Sequence, residues 1–372
     1  MFRHTISIGH IFGIAVELDY SWFLILGLLT WMLAVSYYPT EFHGWSAGEY
    51  WFMGGVTAVM LFVSVLLHEF GHSLVAMRYG IRVPRITLFL FGGVSQIATE
   101  PASAAAEFWI AIAGPAVSFL LAFFFWELRP LVAGVTPLLA LAKYMALINL
   151  MLGLFNLIPG SPLDGGRVFQ AIVWGATRSY QRATLAAATT GRFIGFAFIF
   201  FGVWQALGGN FFNGLWIAFI GWFIESAAGA QVQQQVLKGL LMGHKVSEVM
   251  GRDFDSVSAG VTLQDLVDNH VLAHGQRAFI VKAGNGGSGL LTLTDIKRVP
   301  RASWATTQAE QIMIPAEKLI SIDADAEAWN ALEKMGRDGV NQMPVLKDRA
   351  VVGLLSRQDL LHYLRVLQAV NS

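Results

Sequence analysis

Six long apolar stretches dominate the first part of the chain, at about Tyr20–Tyr38, Phe52–Met77, Phe108–Leu128, Leu138–Ile158, Phe193–Leu207 and Phe212–Ala228. The first four reach or approach the ~20 residues that a helix needs to cross a bilayer core. The last two are short for spans, and Gly208-Gly209-Asn210 between them predicts a tight helical hairpin. Between the second and third stretches the pattern changes. Apolar Ile86–Leu90 is followed by Phe91-Gly92-Gly93-Val94-Ser95-Gln96-Ile97, which predicts short strands around a Gly-Gly turn. Such a hairpin can enter a membrane only under protein cover or beside a watery cavity. An ordinary surface hairpin is the alternative. Met1–Asp19 is mixed in character and carries no pattern of a cleavable leader.

Beyond Ala228 the chain turns polar and amphipathic, predicting a helical linker over residues 229–244, and then it repeats itself. Val246-Ser247-Glu248-Val249-Met250 returns as Ala309-Glu310-Gln311-Ile312-Met313, and Gly289-Leu290-Leu291-Thr292-Leu293-Thr294-Asp295 returns as Gly353-Leu354-Leu355-Ser356-Arg357-Gln358-Asp359. Each copy carries a helical segment (Thr262–Asn269; Ala326–Met335) and then a β-rich one (Ala278–Val281; Met343–Leu346). Two copies of one small α/β unit account for this economically. The fold expected is therefore a polytopic α-helical membrane domain of about six spans with a small β-hairpin (1–228), a linker (229–244) and an α/β module (245–372).

Charge sharpens that division. Of the 25 Lys/Arg and 25 Asp/Glu, residues 1–228 hold ten of each and the shorter remainder holds fifteen of each. A hydrophobic share of 55% is too apolar for an ordinary soluble protein, and zero net charge gives no sign of a nucleic-acid partner. Arg78, Arg82 and Arg85 follow the second stretch, and Arg167, Arg178, Arg182 and Arg192 follow the fourth. The opposite connections carry only Arg129, so the N-terminus, the basic loops and the C-terminal module are expected in the cytoplasm, the membrane being the cell membrane.

With no cysteine in the chain, a metal must sit on His, Asp or Glu. The second stretch contains His68-Glu69-Phe70-Gly71-His72, an H-E-x-x-H pattern. One helical turn separates the imidazoles, which suits a tetrahedral zinc, and Glu69 shares their face as general base. Ionisable groups within an apolar span are costly and usually functional, which weighs against a merely hydrogen-bonded polar pair. If Arg78 marks the interface, His68 lies about 15 Å deep. A third ligand is available in Asp164, where Asn156-Leu157-Ile158-Pro159-Gly160-Ser161-Pro162-Leu163-Asp164-Gly165-Gly166 ends the fourth stretch. Asn156 is placed to donate to a peptide carbonyl or its developing oxyanion. Glu100, Glu107, Glu127 and Glu225 read as helix-end or interface residues without chemistry. A transporter or channel gated by nucleotide is the competing class, but neither repeated span halves nor mid-membrane charges without the Glu base are present.

These residues, with Phe91-Gly92-Gly93 and Ala113-Gly114-Pro115, resemble the site-2 protease family of intramembrane zinc metalloproteases, in the subgroup with C-terminal tandem CBS domains. The resemblance implies one zinc per chain on His68, His72 and Asp164, Glu69 as base and Asn156 assisting. It also implies a Gly92–Gly93 hairpin that pairs with an unwound segment of a transmembrane or membrane-tethered substrate in regulated intramembrane proteolysis. Residues 245–372 resemble a CBS pair, although the first copy has Arg277-Ala278-Phe279-Ile280 where a proline is usual and carries a Gly-rich insertion at 284–287. In such modules Thr292, Asp295, Ser356 and Asp359 would hold the ribose and phosphate of ATP, ADP or AMP. A homodimer contact through the module is the other role the resemblance offers.

Overall fold

The computed structural model describes residues 5–90, 92–97, 99–252, 256–276, 278–282, 288–315, 318–347 and 350–371. Phe91 of the expected hairpin, Arg277 and the insertion at 284–287 lie outside them. The chain divides in sequence between Gln235 and Val236 into two compact units.

The first unit contains six helices long and apolar enough to cross a membrane: α1 (Ser21–Glu41), α2 (Ala47–Arg78), α3 (Ala104–Leu131), α4 (Thr136–Asn156), α6 (Tyr180–Leu207) and α7 (Phe211–Leu241), with the shorter α5 (Asp164–Thr177) between α4 and α6. The expectation that the last two spans are short is corrected. Ala-rich sequence before Phe193 and the Ala/Gln-rich stretch after Ala228 favour helix strongly, so both helices run past their apolar windows. The expected linker is accordingly in large part the end of α7, and Arg182 and Arg192 lie within α6 rather than in a loop. Caps fix the starts. Ser46 accepts from the Glu49 amide while Glu49 accepts from the Ser46 amide, and Ser103 accepts from the Ala106 amide.

A four-stranded sheet accompanies these helices, in the order β1 (Thr5–Ile11), β2 (Ile14–Asp19), β3 (Arg85–Phe89), β4 (Gly92–Ser95). β2 runs parallel to β3, and β3 is antiparallel to β4 with Leu88 opposite Gly93. Two expectations change. The N-terminal residues, read only as mixed, form a hairpin turning at Phe12-Gly13, both with positive φ as such turns demand. Gly92 and Gly93 lie inside β4, not in the turn. Alternate residues Ile14 and Val16 of β2 are buried against Phe70 and Ala76 of α2 and Ile110 of α3, which seats the sheet beside the helices bearing the histidines.

The second unit consists of two α/β repeats. One has the sheet β5 (Ser256–Ser258), β6 (Ala278–Lys282), β7 (Ser288–Thr292), β8 (Ile314–Pro315). The other has β9 (Ile322–Asp323), β10 (Gln342–Lys347) and β11 (Ala350–Ser356). Their leading helices are exchanged. Val246 and Val249, from the helix that opens the first copy, are buried in the core of Met343, Leu355 and Leu360. Ala309, which opens the second copy, is buried with Phe279, Leu291 and Ile296. Matching backbone bonds hold the exchange, Val246 N to Ala326 O and Ala309 N to Val261 O, both 2.9 Å.

Candidate active site

His68 and His72 lie one turn apart on α2 and are both buried. The chain leaves α4 after Asn156, crosses a loop containing Pro159 and Pro162, and re-enters helix at Asp164, the first residue of α5. That restart aims the carboxylate back at α2. Asp164 Oδ2 is 3.0 Å from His68 Nε2 and 3.2 Å from His72 Nε2, and the two Nε2 atoms are 3.2 Å apart. Donors about 2.0–2.1 Å from a tetrahedral zinc stand roughly 3.3 Å from one another, so the triangle has the right size. Among the described residues this is the one His/Cys/Asp/Glu group with that convergence. Burial opposes ionisation of Asp164, but the His72 and His68 imidazoles beside it hold its carboxyl well below the usual carboxylate range.

The distal ring nitrogens are also engaged. His72 Nδ1 donates to the Ile110 carbonyl at 2.7 Å, and His68 Nδ1 is 2.8 Å from Ser118 Oγ. Both partners belong to α3. With each Nδ1 tied to α3, the Nε2 atoms are the ring nitrogens turned toward Asp164. Gly114 of α3 lies between them, where a Cβ would fall on His72 Nε2 and come within 2.6 Å of His68 Nε2. Pro115, next along, has no amide hydrogen for the Ala111 carbonyl and so interrupts the backbone ladder beside this face.

Glu69 faces β4. Its Oε2 accepts from Ser95 Oγ at 2.6 Å, and a Cβ on Gly93 would come within 2.6 Å of Glu69 Cγ. A cleft of about 910 Å³ brings together His68, Glu69, Gly92, Gly93, Asn156 and Asp164 in its walls. Asn156 donates one amide hydrogen to the Leu152 carbonyl. In the second unit a cavity of about 570 Å³ is lined by Thr292, Asp295, Arg298, Lys318, Asn341 and Gln342. Ser356 and Asp359 do not line it. Both Ser/Thr–Asp pairs close on themselves, Asp295 Oδ2 taking Thr292 Oγ1 and Asp359 Oδ2 taking Ser356 Oγ at 2.6 Å each.

Four residues that sequence reasoning passed over complete the surroundings: Ser95, Ser118, Glu107 and Arg167. Glu107 lies in the first turn of α3, as a helix-end reading expects, but it is buried there and accepts from Arg167 Nε of α5 at 2.7 Å. Glu225 likewise has a specific partner, Arg192, at 2.9 Å. The signal available for Glu107 and Ser118 was their spacing about Gly114, which puts all three on one helical face.

A family model described as Peptidase family M50 matches residues 56–134 and 129–202, and the CBS domain model matches residues 309–366. The Rip3 protein of Mycobacterium tuberculosis is 35% identical over 362 residues, covering 96% of this chain and 92% of its own. The sll0528 protein of Synechocystis is 32% identical over 370 residues (99% and 97%), and MJ0392 of Methanocaldococcus jannaschii 26% identical over 372 (98% and 98%); the last is designated a zinc metalloprotease and the first two bear the designation "putative zinc metalloprotease". A solved site-2 protease from Methanocaldococcus jannaschii overlays with a TM-score of 0.44 at 30% identity, over 62% of this chain and 95% of that one. With more than a third of positions identical along nearly the whole of a relative, the chain belongs to peptidase family M50 and is a membrane-embedded zinc metalloendopeptidase of the site-2 protease type, extended by tandem CBS domains.

Proposed function

We propose that His68, His72 and Asp164 hold the zinc and that Glu69 is the general base, with Asn156 and the Gly92–Gly93 strand receiving the substrate. The observation that carries this reading is the meeting of three ligand atoms within 3.2 Å of one another in the wall of a cleft that also contains Glu69 and β4. Zinc, when bound, supplies Lewis acidity to the scissile carbonyl and acidifies water. The chain supplies the rest. Ser95 occupies Glu69 Oε2 and fixes the carboxylate, leaving Oε1 to take the proton of the attacking water and pass it to the departing amine. β4 pairs only with β3 among the described strands, so its outer edge is available to add a substrate strand. A transmembrane helix must unwind to use that edge. Glu69→Gln should retain zinc while cleavage of a transmembrane reporter by purified protein falls ~10²–10⁴-fold. Retained turnover would reject the assignment of the base.

The substrates in this reading are transmembrane or membrane-tethered proteins cut within or beside the bilayer. Residues 1–228 form the protease domain, 229–244 the helical connection and 245–372 the regulatory CBS pair. The basic residues after α2 and α4 support a cytoplasmic N-terminus and CBS module in the cell membrane. In this cysteine-free chain, cysteines at Gly44 and Gly209 should react with an impermeant thiol reagent on intact cells, and one at Gly260 only after lysis. The reverse pattern would invert the topology.

The cavity of the second unit takes an adenine nucleotide in this proposal, with Arg298 and Lys318 near phosphate and Asp295 near ribose. Titrating the full chain with ATP, ADP and AMP should give saturable heat that Asp295→Ala removes. Regulation requires reporter cleavage to change over the same range, since a ligand shifts only equilibria in which it prefers one state. Absence of heat at millimolar nucleotide would instead favour the dimer contact, to be read from the oligomeric state.

A further inference from the structure

One face of α3 touches both histidines of the candidate metal centre and the arginine one turn beyond its carboxylate. Glu107, Ile110, Gly114 and Ser118 recur at intervals of three and four residues, which at 100° per residue confines them to an arc of about 80°. Ser118 holds the His68 Nδ1 nitrogen, and the Ile110 carbonyl holds that of His72. Gly114 leaves room for both Nε2 atoms. Glu107 reaches the third ligand indirectly, through Arg167, which follows Asp164 by one turn on α5. We infer that this face of α3 is the template that sets the centre's geometry, with Arg167 and Glu107 as positioning residues for Asp164 and Ser118 as the positioning residue for His68. The inference rests on the reading of His68, His72 and Asp164 as metal ligands.

The Glu107–Arg167 pair does not explain itself as a source of stability. Its carboxylate side chain is 3% exposed, and Glu107 Oε2 is buried with no hydrogen-bond partner among the described residues. A buried ion pair seldom stabilises a fold more than an apolar pair of equal volume, and an unmet oxygen adds to its cost. What the pair supplies is rotational register. Asp164 stands at the first residue of a 14-residue helix that follows an irregular loop, so the rotation of α5 about its axis decides where the carboxylate points. A turn of about 20° would sweep an oxygen ~5 Å from that axis by roughly 1.7 Å, several times the ~0.2 Å tolerance of a metal–ligand distance. An ion pair one turn away, bonded to the helix that also orients both histidines, suppresses that rotation.

The test measures zinc dissociation constants by chelator competition on the full chain in detergent. Arg167→Met and Glu107→Gln should each weaken zinc ~10- to 100-fold, as loss of an outer partner does. Their effect should vanish in an Asp164→Ala background, because they act through that residue. Ser118→Ala should weaken zinc in both the wild-type and the Asp164→Ala backgrounds and add nothing to His68→Ala. A merely structural role would lower the melting temperature of the apo protein without this pattern. If Arg167→Met does not yield monodisperse protein, the near-isosteric Glu107→Gln carries the same cycle. Wild-type affinity in Glu107→Gln, or equal losses with and without Asp164, would overturn the inference while leaving the metal centre standing. Failure of the wild type to bind zinc, or of Asp164→Ala to weaken it, would remove the metal reading and the inference with it.

Discussion

The candidate metal centre of the membrane unit and the helix caps of the C-terminal unit use carboxylates differently. Around the metal centre their partners are remote in sequence: Asp164 meets His68 across 96 residues, Glu107 meets Arg167 across 60, and Glu69 meets Ser95 across 26. In the C-terminal unit Asp295 and Asp359 bond to a hydroxyl and an amide three residues back, and Asp265 accepts from the Thr262 hydroxyl at the same spacing. Ionisable groups that join distant segments within an apolar bundle must be held by several elements at once, whereas a helix cap needs only its own turn. Range in sequence therefore distinguishes the carboxylates of the candidate metal centre from those of the helix caps.

The comparison is broken most directly by exchanging its terms. Asp164→Ala should remove most bound zinc and bring reporter cleavage to background, while Asp295→Ala should leave cleavage without nucleotide unchanged and lower the stability of the C-terminal unit by about 1 kcal/mol. Metal analysis, activity and melting curves on the same preparations decide it. A smaller change beside the histidines should act as strongly on the metal. Gly114→Ala gains about 1 kcal/mol of helix propensity, but its methyl group would fall on His72 Nε2, so zinc and activity should be lost and the melting temperature should drop as the crowded rings shift. Gly93→Ala comes next. It presses on Glu69 rather than on the ligands, and should keep zinc while reducing turnover ~100-fold, the scale of a 1 Å misplacement. The smallest effects belong to the caps. Thr292→Ala and Ser356→Ala should each cost about 1 kcal/mol in a melt, but only Thr292→Ala, in the wall of the cavity, should also alter nucleotide binding.

Much of this arrangement is legible in the sequence because it is periodic or local. Helical spacing puts His68, Glu69 and His72 on one face, and the break at Pro159–Pro162 marks where Asp164 begins a new helix. What escaped notice depends on contacts that periodicity does not encode. The N-terminal strands carry the alternation Ile14, Val16, Leu18, but their role as neighbours of β3 emerges only when distant chain segments meet. Ser95 and Ser118 are single hydroxyls among many, distinguished by what stands opposite them. Glu107 reads as a helix-start acid until α5 covers it. The start of α6 and the end of α7 lie beyond the apolar windows because hydropathy falls where alanine and glutamine still favour helix.

The exchange of leading helices between the repeats carries a consequence for synthesis. The first core is completed when residues around Ala309 emerge, soon after its own strands. Val246 and Val249 have a longer wait, because the core that buries them includes Leu360 and Leu364. At about 5–20 residues per second, more than a hundred further residues take on the order of 6–20 s. For that interval the short helix bearing Val246 and Val249 stands without its native partner as the chain grows. A ribosome stalled within the second repeat would therefore expose the beginning of the first, and its nascent chain would need a chaperone at a place far upstream of the stall.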